Sequence, residues 1–293
     1  MVLPFPLQMI RPDTYAAAKP TTKGRRRRDR RDRPLQDEAT RAWNLHTALY
    51  YKAGGIPWRL LRDPAELTVC FVGISFYRTV DRERLLTSMA QVFNERGEGI
   101  IVKGAAAQKD DRIPHLSEEN ARSLLSFAIR AYRAEHKTAP ARVVVHKTSK
   151  SNRDELAGFA AATEDARIEA LEVVSVARSY TRLFRTSTYP PLRGTLLHLD
   201  PSTGILYLRG SVNFFATYPG LYVPRPFEFH REHGSSTPRV LAEEIFALSK
   251  LNWNNTQFDG GEPITVRAAR RVGDILKHVP EGVAPQSRFR FYM

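Results

Sequence analysis

Cysteine is almost missing from this sequence. The one in 293 residues, Cys70, sits inside the apolar run Leu67-Thr-Val-Cys-Phe-Val-Gly-Ile-Ser-Phe-Tyr77. A disulfide scaffold and a cysteine-based metal site are thereby excluded, and the thiol reads as core packing in a reducing compartment. No apolar run approaches the ~20 residues of a membrane span. The N-terminus lacks the charged-then-apolar layout of a signal peptide, so a cytoplasmic protein is expected. Acid is the third shortage: 31 Asp and Glu face 45 Lys and Arg, for a net charge of +14. Such an imbalance points to a polyanionic partner, because clustered Lys and Arg displace counterions from phosphate backbones. Half of it is concentrated in Lys19–Arg33, with nine Lys/Arg and two Asp. This stretch has no apolar face and reads as an Arg-rich loop over 19–34.

Hydrophobic residues make up 42% of the chain, enough for a sizeable core. The Leu67–Tyr77 run has no 3.6-residue period and reads as a strand buried on both faces, the centre of a mixed α/β sheet. Upstream, the proline-framed residues 1–16 read as one edge strand. Leu35, Ala39, Ala42, Leu45, Ala48 and Leu49 recur at helical steps, predicting an amphipathic helix to Lys52 that Ala53-Gly54-Gly55 stops. Val80 to Phe93 reads as a second extended segment or a short helix, and Gly99–Lys103 as a strand. A long helix capped by Ser117 runs to His136. A buried strand at Ala141–His146, a helix from Ser151 to about Ala162 and a strand at Ile168–Ala177 come next. A hairpin turns around Asp200–Gly204, and Tyr218–Phe227 is proline-rich and extended. Helices at Thr237–Leu251 and Pro263–His278 close the chain, and the aromatic tail Phe289–Met293 is expected to dock. The order of strand, hairpin, helix, strand, helix, strand is that of an RNase H-like sheet.

Several segments in this order resemble the C-terminal half of a prokaryotic Argonaute, the end of the MID domain followed by PIWI. They are Asn44-Leu45 with Tyr51-Lys52-Ala53-Gly54-Gly55-Ile56-Pro57-Trp58, Phe71-Val72-Gly73-Ile74-Ser75, Val143-Val144-Val145-His146-Lys147-Thr148, Tyr218-Pro219-Gly220, Pro224-Arg225-Pro226, Leu251-Asn252-Trp253-Asn254-Asn255-Thr256, Pro263-Ile264-Thr265 and the terminal Phe291-Tyr292-Met293. The resemblance implies a partial MID-like segment over 1–65 and an α/β, RNase H-like PIWI domain over 66–293, its mixed central sheet flanked by helices. PAZ and N domains have no counterpart here.

Slicing members of that family hold two divalent ions on an acidic tetrad ending in Asp or His. In this chain the resemblance puts Ser75 at the first Asp, Thr148 at the second and Arg270, within Ala268-Ala269-Arg270, at the last position. The glutamate of the tetrad falls in the loop between about Lys103 and Glu119. Hydroxyls cannot neutralise two hard dications, and an arginine repels them, so no metal-dependent slicing is expected.

The resemblance further implies a pocket for a guide strand's 5′-phosphate, built from Gln8, Lys52 and the terminal carboxylate of Met293, which shares a structural Mg²⁺ or Mn²⁺ with the phosphate. In the family a Tyr and a Lys from upstream of the Gln complete this pocket; a longer reading of the chain or a second polypeptide is expected to provide them. Arg225, Asn254 and Asn255 are candidate contacts to the nucleic-acid backbone. The expected partners are a guide RNA or DNA, its complementary target and a separate effector, NAD-consuming or a nuclease, acting in prokaryotic defence against foreign DNA. Two alternatives stand beside this reading. One is an active guided endonuclease whose carboxylates come from Asp81, Glu98, Asp110, Asp111, Asp154 or Asp200. The other is a basic RNA-binding protein that uses no guide.

Overall fold

The computed structural model describes residues 5–15, 36–60, 67–81, 83–93, 99–110, 113–184, 190–214, 223–251, 253, 260–279, 283 and 286–292. In chain order these form α1 (Pro12–Tyr15), α2 (Glu38–Lys52), β1 (Val69–Arg78), β2 (Leu85–Phe93), β3 (Gly99–Ala106), β4 (Gln108–Asp110), β5 (Ile113–His115), α3 (Glu118–His136), β6 (Arg142–Lys147), α4 (Arg153–Asp165), β7 (Ala170–Arg178), β8 (Leu196–His198), β9 (Thr203–Leu206), β10 (Phe227–His233), α5 (Pro238–Leu248) and α6 (Ile264–Leu276). A 3₁₀ turn at Phe289–Phe291 comes last. The Arg-rich loop 19–34 lies outside the described residues.

Eight strands make one mixed sheet in the order β3-β2-β1-β6-β7-β10-β9-β8. β1, β6 and β7 run parallel, while β2 is antiparallel to β1 and β10 antiparallel to β7. This is the RNase H-like arrangement expected, an α/β fold with helices on both faces. Burial on both faces explains the unbroken apolar text of β1. Cys70, Val72 and Ile74 join Val143 and Val145 of β6 beneath α3 and α4; Val69 and Phe71 join Val144 on the opposite face with Leu248 and Leu251. Cys70 is a buried free thiol.

The local signals match their elements. Ser117 accepts from Asn120 N at 3.3 Å and starts α3. Asn152 and Glu155 exchange capping bonds at the start of α4, and Thr237 with Pro238 opens α5. Of the two readings left open for Val80–Phe93, the extended one holds, as β2. The proline-framed start is not an edge strand. Among its described residues Pro12–Tyr15 form a helical turn, tied to α2 by Arg41 Nη1 donating to Thr14 O at 3.1 Å. Proline removes ladder donors, and the sheet's two edges are taken by β3 and β8. The α2 segment shares a core with the sheet domain: Tyr51 packs with Tyr77, Trp253, Ala269, Phe289 and Tyr292. The aromatic tail is thus docked as far as Tyr292.

α6 lies close on β1 and β6, and Gly73 is where it can. A Cβ there would overlap the backbone carbonyl of Thr265, and such overpacking costs about 1–3 kcal/mol. Gly73→Ala is expected to lower the unfolding midpoint correspondingly in a denaturant titration, whereas Ala at exposed Gly261 should leave it in place.

His146, opposite Gly73 in the β1–β6 register, pairs Nδ1 with Thr265 Oγ1 at 2.9 Å. Burial, assisted by Arg142, pushes its imidazole down to about 3. A group depressed in the folded state stabilises fully above its unfolded value, near 6.5, and the contribution drains as pH falls toward 3. Stability is expected to decline below pH 6.5 by up to about 1.4 kcal/mol per unit from this group. Denaturant titrations of His146→Leu across pH 7 to 4 should show a flatter slope than the unsubstituted chain.

Candidate nucleic-acid interface

At the C-terminal ends of β1 and β6 the chain leaves an open cleft of about 690 Å³, lined by Ser75, Thr148 and Arg270 together with Arg78, Lys277, His278 and Asp274. The pleat dictates this convergence. Ser75 shares the α6 side of β1 with Phe71 and Gly73. Thr148, the residue after β6, shares the side of His146, and its N–H donates to Ile74 O at 3.1 Å. Arg270, one turn and a half into α6, projects toward the same end. So the three positions that the resemblance set at the tetrad meet in one place. Asp274 is the acidic residue among those lining the cleft, and Lys277 Nζ lies 3.4 Å from it. Among the described residues no group of three His, Cys, Asp or Glu is placed to hold a metal ion.

Beneath Thr148 lies a buried ionic knot. Lys147 and Glu155 have wholly buried side chains, with Nζ 2.9 Å from Oε2. Glu155 also takes the Leu116 N–H at 2.7 Å, and its Oε2 lies 3.1 Å from His115 Nδ1. Nζ donates further to Ser149 Oγ at 2.8 Å and Lys150 O at 2.7 Å. Burial pushes the Lys147 ammonium below its ordinary value, and Glu155 opposes that push. A buried ion survives only when paired and hydrogen-bonded, so this knot fixes the loop that carries Thr148. Nothing in the sequence pattern tied Glu155 to Lys147; Glu155 also serves in the capping box that starts α4.

On the opposite side of α6, α2 ends at the positive-φ Gly54. Lys52 there turns back to the N-terminal segment: Nζ donates to Leu7 O at 2.5 Å and to Gln8 Oε1 at 2.6 Å. Two of the predicted 5′-phosphate residues are therefore in direct contact across 44 positions of sequence. Burial pushes the Lys52 ammonium down from its ordinary value. Arg290, from the docked tail, reaches the same turn, where its Nη1 would stand 3.2 Å from a Cβ on Gly54; no motif in the sequence marked this arginine. Met293, the third predicted member, lies outside the described residues. Lys52 and Arg290 supply cationic N–H donors of the kind that hold a phosphate monoester. The described residues do not by themselves fit a divalent ion: Gln8 Oε1 and Leu7 O already accept from Lys52, and no carboxylate is seen with them.

Arg225 is exposed, its guanidinium 5.8 Å from the ring centre of Tyr180, which is 85% exposed. Asn254 and Asn255 lie outside the described residues. Of the alternative carboxylates, Asp81 caps its own turn through Thr79 Oγ1 and Glu83 N. Asp200 does the same for Ser202, and Asp154 sits in the first turn of α4. None of these lines the cleft. Glu98, Asp111 and the side chain of Asp110 lie outside the described residues.

The sheet order and the helix layers define an α/β protein with one mixed sheet covered by helices on both faces. Comparison with solved structures agrees. The fold is similar to Clostridium butyricum Argonaute bound to a guide DNA and a 19-mer target DNA, with a TM-score of 0.66 and 18% identity over 82% of this chain and 31% of that one. It is similar to Drosophila Piwi, with a TM-score of 0.62 and 16% identity over 85% of this chain and 35% of that one. A third is Marinitoga piezophila Argonaute in complex with a 5′-hydroxyl guide RNA, with a TM-score of 0.59 and 14% identity over 87% and 37%. The chain therefore has an Argonaute-like fold and spans about a third of the length of these proteins. No family model and no curated protein matches the sequence. Among the described residues, no helix is long and apolar enough to cross a membrane.

Replacing Glu155 by Leu strands the Lys147 ammonium in a dry site. The expected loss is about 3–5 kcal/mol of folding stability, read by denaturant titration, with Glu155→Gln losing less because its amide oxygen can still accept from Nζ.

Proposed function

We propose that this chain is a guide-dependent nucleic-acid-binding module of Argonaute type that holds a guide and its complementary target without cutting. The observation that carries the reading is the meeting of Ser75, Thr148 and Arg270 in one cleft at the end of β1 and β6. Two-metal hydrolysis needs carboxylate oxygens to bind the ions and offset their charge. Two hydroxyls and a guanidinium at that point favour binding over chemistry.

Gln8 and Lys52, already hydrogen-bonded to one another, are proposed to receive the guide's 5′-phosphate with the terminal carboxylate of Met293. In this reading a Mg²⁺ or Mn²⁺ would sit there only alongside the phosphate, its oxygens coming from the phosphate itself and from Met293. Arg225, Asn254 and Asn255 are proposed to contact the strands' backbone. Base pairing supplies the sequence specificity of such a system, and the protein reads backbone and shape. A chain without cutting chemistry needs an effector, and an NAD-consuming or nuclease partner acting in prokaryotic defence against foreign DNA is proposed for that part, in the cytoplasm.

The test pairs a cleavage assay with a binding assay. A 5′-phosphorylated guide, a complementary labelled target and Mn²⁺ should give no chelator-sensitive product. The protein should bind the phosphorylated guide more tightly than its 5′-hydroxyl counterpart, and Lys52→Ala should shrink that preference about tenfold, the worth of a charge-assisted bond. Chelator-sensitive cutting would restore the active-nuclease alternative. Binding that ignores the 5′ end and tracks only salt concentration would favour the unguided RNA-binding one.

A further inference from the structure

The end of the sheet is built of guanidinium groups gathered from distant parts of the chain. Arg178 closes β7, Arg209 comes after β9, and Arg267 and Arg270 stand on successive turns of α6; Arg178 and Arg270 pair with one carboxylate, Glu262, whose charge Arg267 also feels. Arg178 lies 3.0 Å from Glu262 Oε1, and Arg270 donates to that same oxygen. Arg209 Nε approaches to 4.0 Å of a Cβ placed on neighbouring Gly261. Burial pushes the Arg267 guanidinium below its ordinary value; Glu262 opposes this, while Arg209 and Arg271 add to it.

A guanidinium presents five N–H donors in a planar fork, and one carboxylate oxygen shared by two of them leaves most donors unspent. The Glu262 side chain is 9% exposed, whereas those of Arg178 and Arg270 are 63% and 41% exposed. Their free edges therefore face solvent. Arg270 also lines the cleft, together with Arg78, Lys277, His278, Ser75, Thr148 and Asp274, the last 3.4 Å from Lys277 Nζ.

Building on the guide-binding reading, we infer that this cluster is an anion cradle for a backbone phosphodiester of the bound duplex, with guanidinium groups standing where a cutting enzyme needs metal ions. Arg270 is its central donor, the Ser75 and Thr148 hydroxyls complete it, and Glu262 orients the forks while holding their charge in check. A phosphodiester carries a single negative charge and accepts bidentate N–H pairs, which suits Arg better than Lys. The two acids at hand are each engaged by a cation, Glu262 by Arg178 and Arg270 and Asp274 by Lys277, so the net positive charge left over grips such a group.

Guide–target duplex binding is measured by fluorescence anisotropy across a salt series for the unsubstituted chain, Arg270→Gln and Glu262→Gln, each checked for folding by its thermal midpoint. Arg270→Gln is expected to weaken duplex binding about tenfold and to reduce the slope of log K against log salt by about 1. Glu262→Gln, which frees guanidinium charge, is expected to bind tighter. Duplexes with one methylphosphonate linkage stepped along the target should show a position where the unsubstituted chain loses affinity and Arg270→Gln does not. If Arg270→Gln binds with unchanged affinity and slope, or if Glu262→Gln weakens binding while remaining folded, the cradle is overturned while 5′-phosphate preference keeps the guide reading intact. If the unsubstituted chain shows neither that preference nor duplex binding, both fall together.

Discussion

The contact of α6 with the central strand is the constraint on which the rest depends. Gly73 lets the Thr265 backbone lie against β1, and the same residue's hydroxyl pairs with His146 of β6. Strand, strand and helix are thereby locked at one level. One turn further on, Arg270 then stands over Ser75 and Thr148, each two residues beyond Gly73 and His146. A larger residue at 73 would lift the helix and open the cleft. The site is thus a by-product of core packing, which is why it sits on rigid elements.

The other side of the sheet does comparable positioning through charge. Lys147 points away from Thr148 by the strand's alternation and goes into the α3–α4 side, where Glu155, itself in contact with His115, receives it. An apolar residue at 147 would have been simpler for the core. The lysine instead ties the loop after β6 to the start of α4, using the oxygens of Ser149 and Lys150. Burying an ion pair gains little net stability and specifies geometry more than it strengthens the fold. What it specifies here is the turn that delivers a hydroxyl to the cleft.

Much of the fold was legible because the strongest signals are local. β1, β6 and β7 carry continuous apolar text because both of their faces are covered, and Ser117 marks a helix start that a hydrogen bond bears out. β10 was not foreseen: its Phe-Glu-Phe-His-Arg-Glu-His text alternates, yet it comes after a proline-rich approach and carries a bulge between Arg231 and His233. The N-terminal segment looked extended, yet its described residues belong to no strand of the sheet. Gln8 and Lys52 could be paired only through family resemblance, since no periodicity links positions so far apart. Of the arginines about Glu262, family resemblance marked Arg270 alone, and nothing in the sequence linked it to the others. They come from three segments, and their charge is diluted in the sequence beside the much denser run at 23–33.

Charge distribution separates gripping from cutting more sharply than fold does. A catalytic metal pair demands that the protein bring negative charge to a place where the nucleic acid already brings its own, and ions then offset the repulsion. At the end of this sheet the protein brings positive charge directly. On the proposed reading, a backbone phosphate held there would be neutralised by the protein's own cations, which removes the electrostatic cost that would recruit an ion. Substituting Asp for Ser75 or Thr148 alone would therefore place a carboxylate within reach of Arg270, where an internal ion pair forms more readily than a hydrated dication is captured. Recovering a metal site requires removing the arginine as well as adding the acids, because the two designs neutralise the same phosphate by incompatible means.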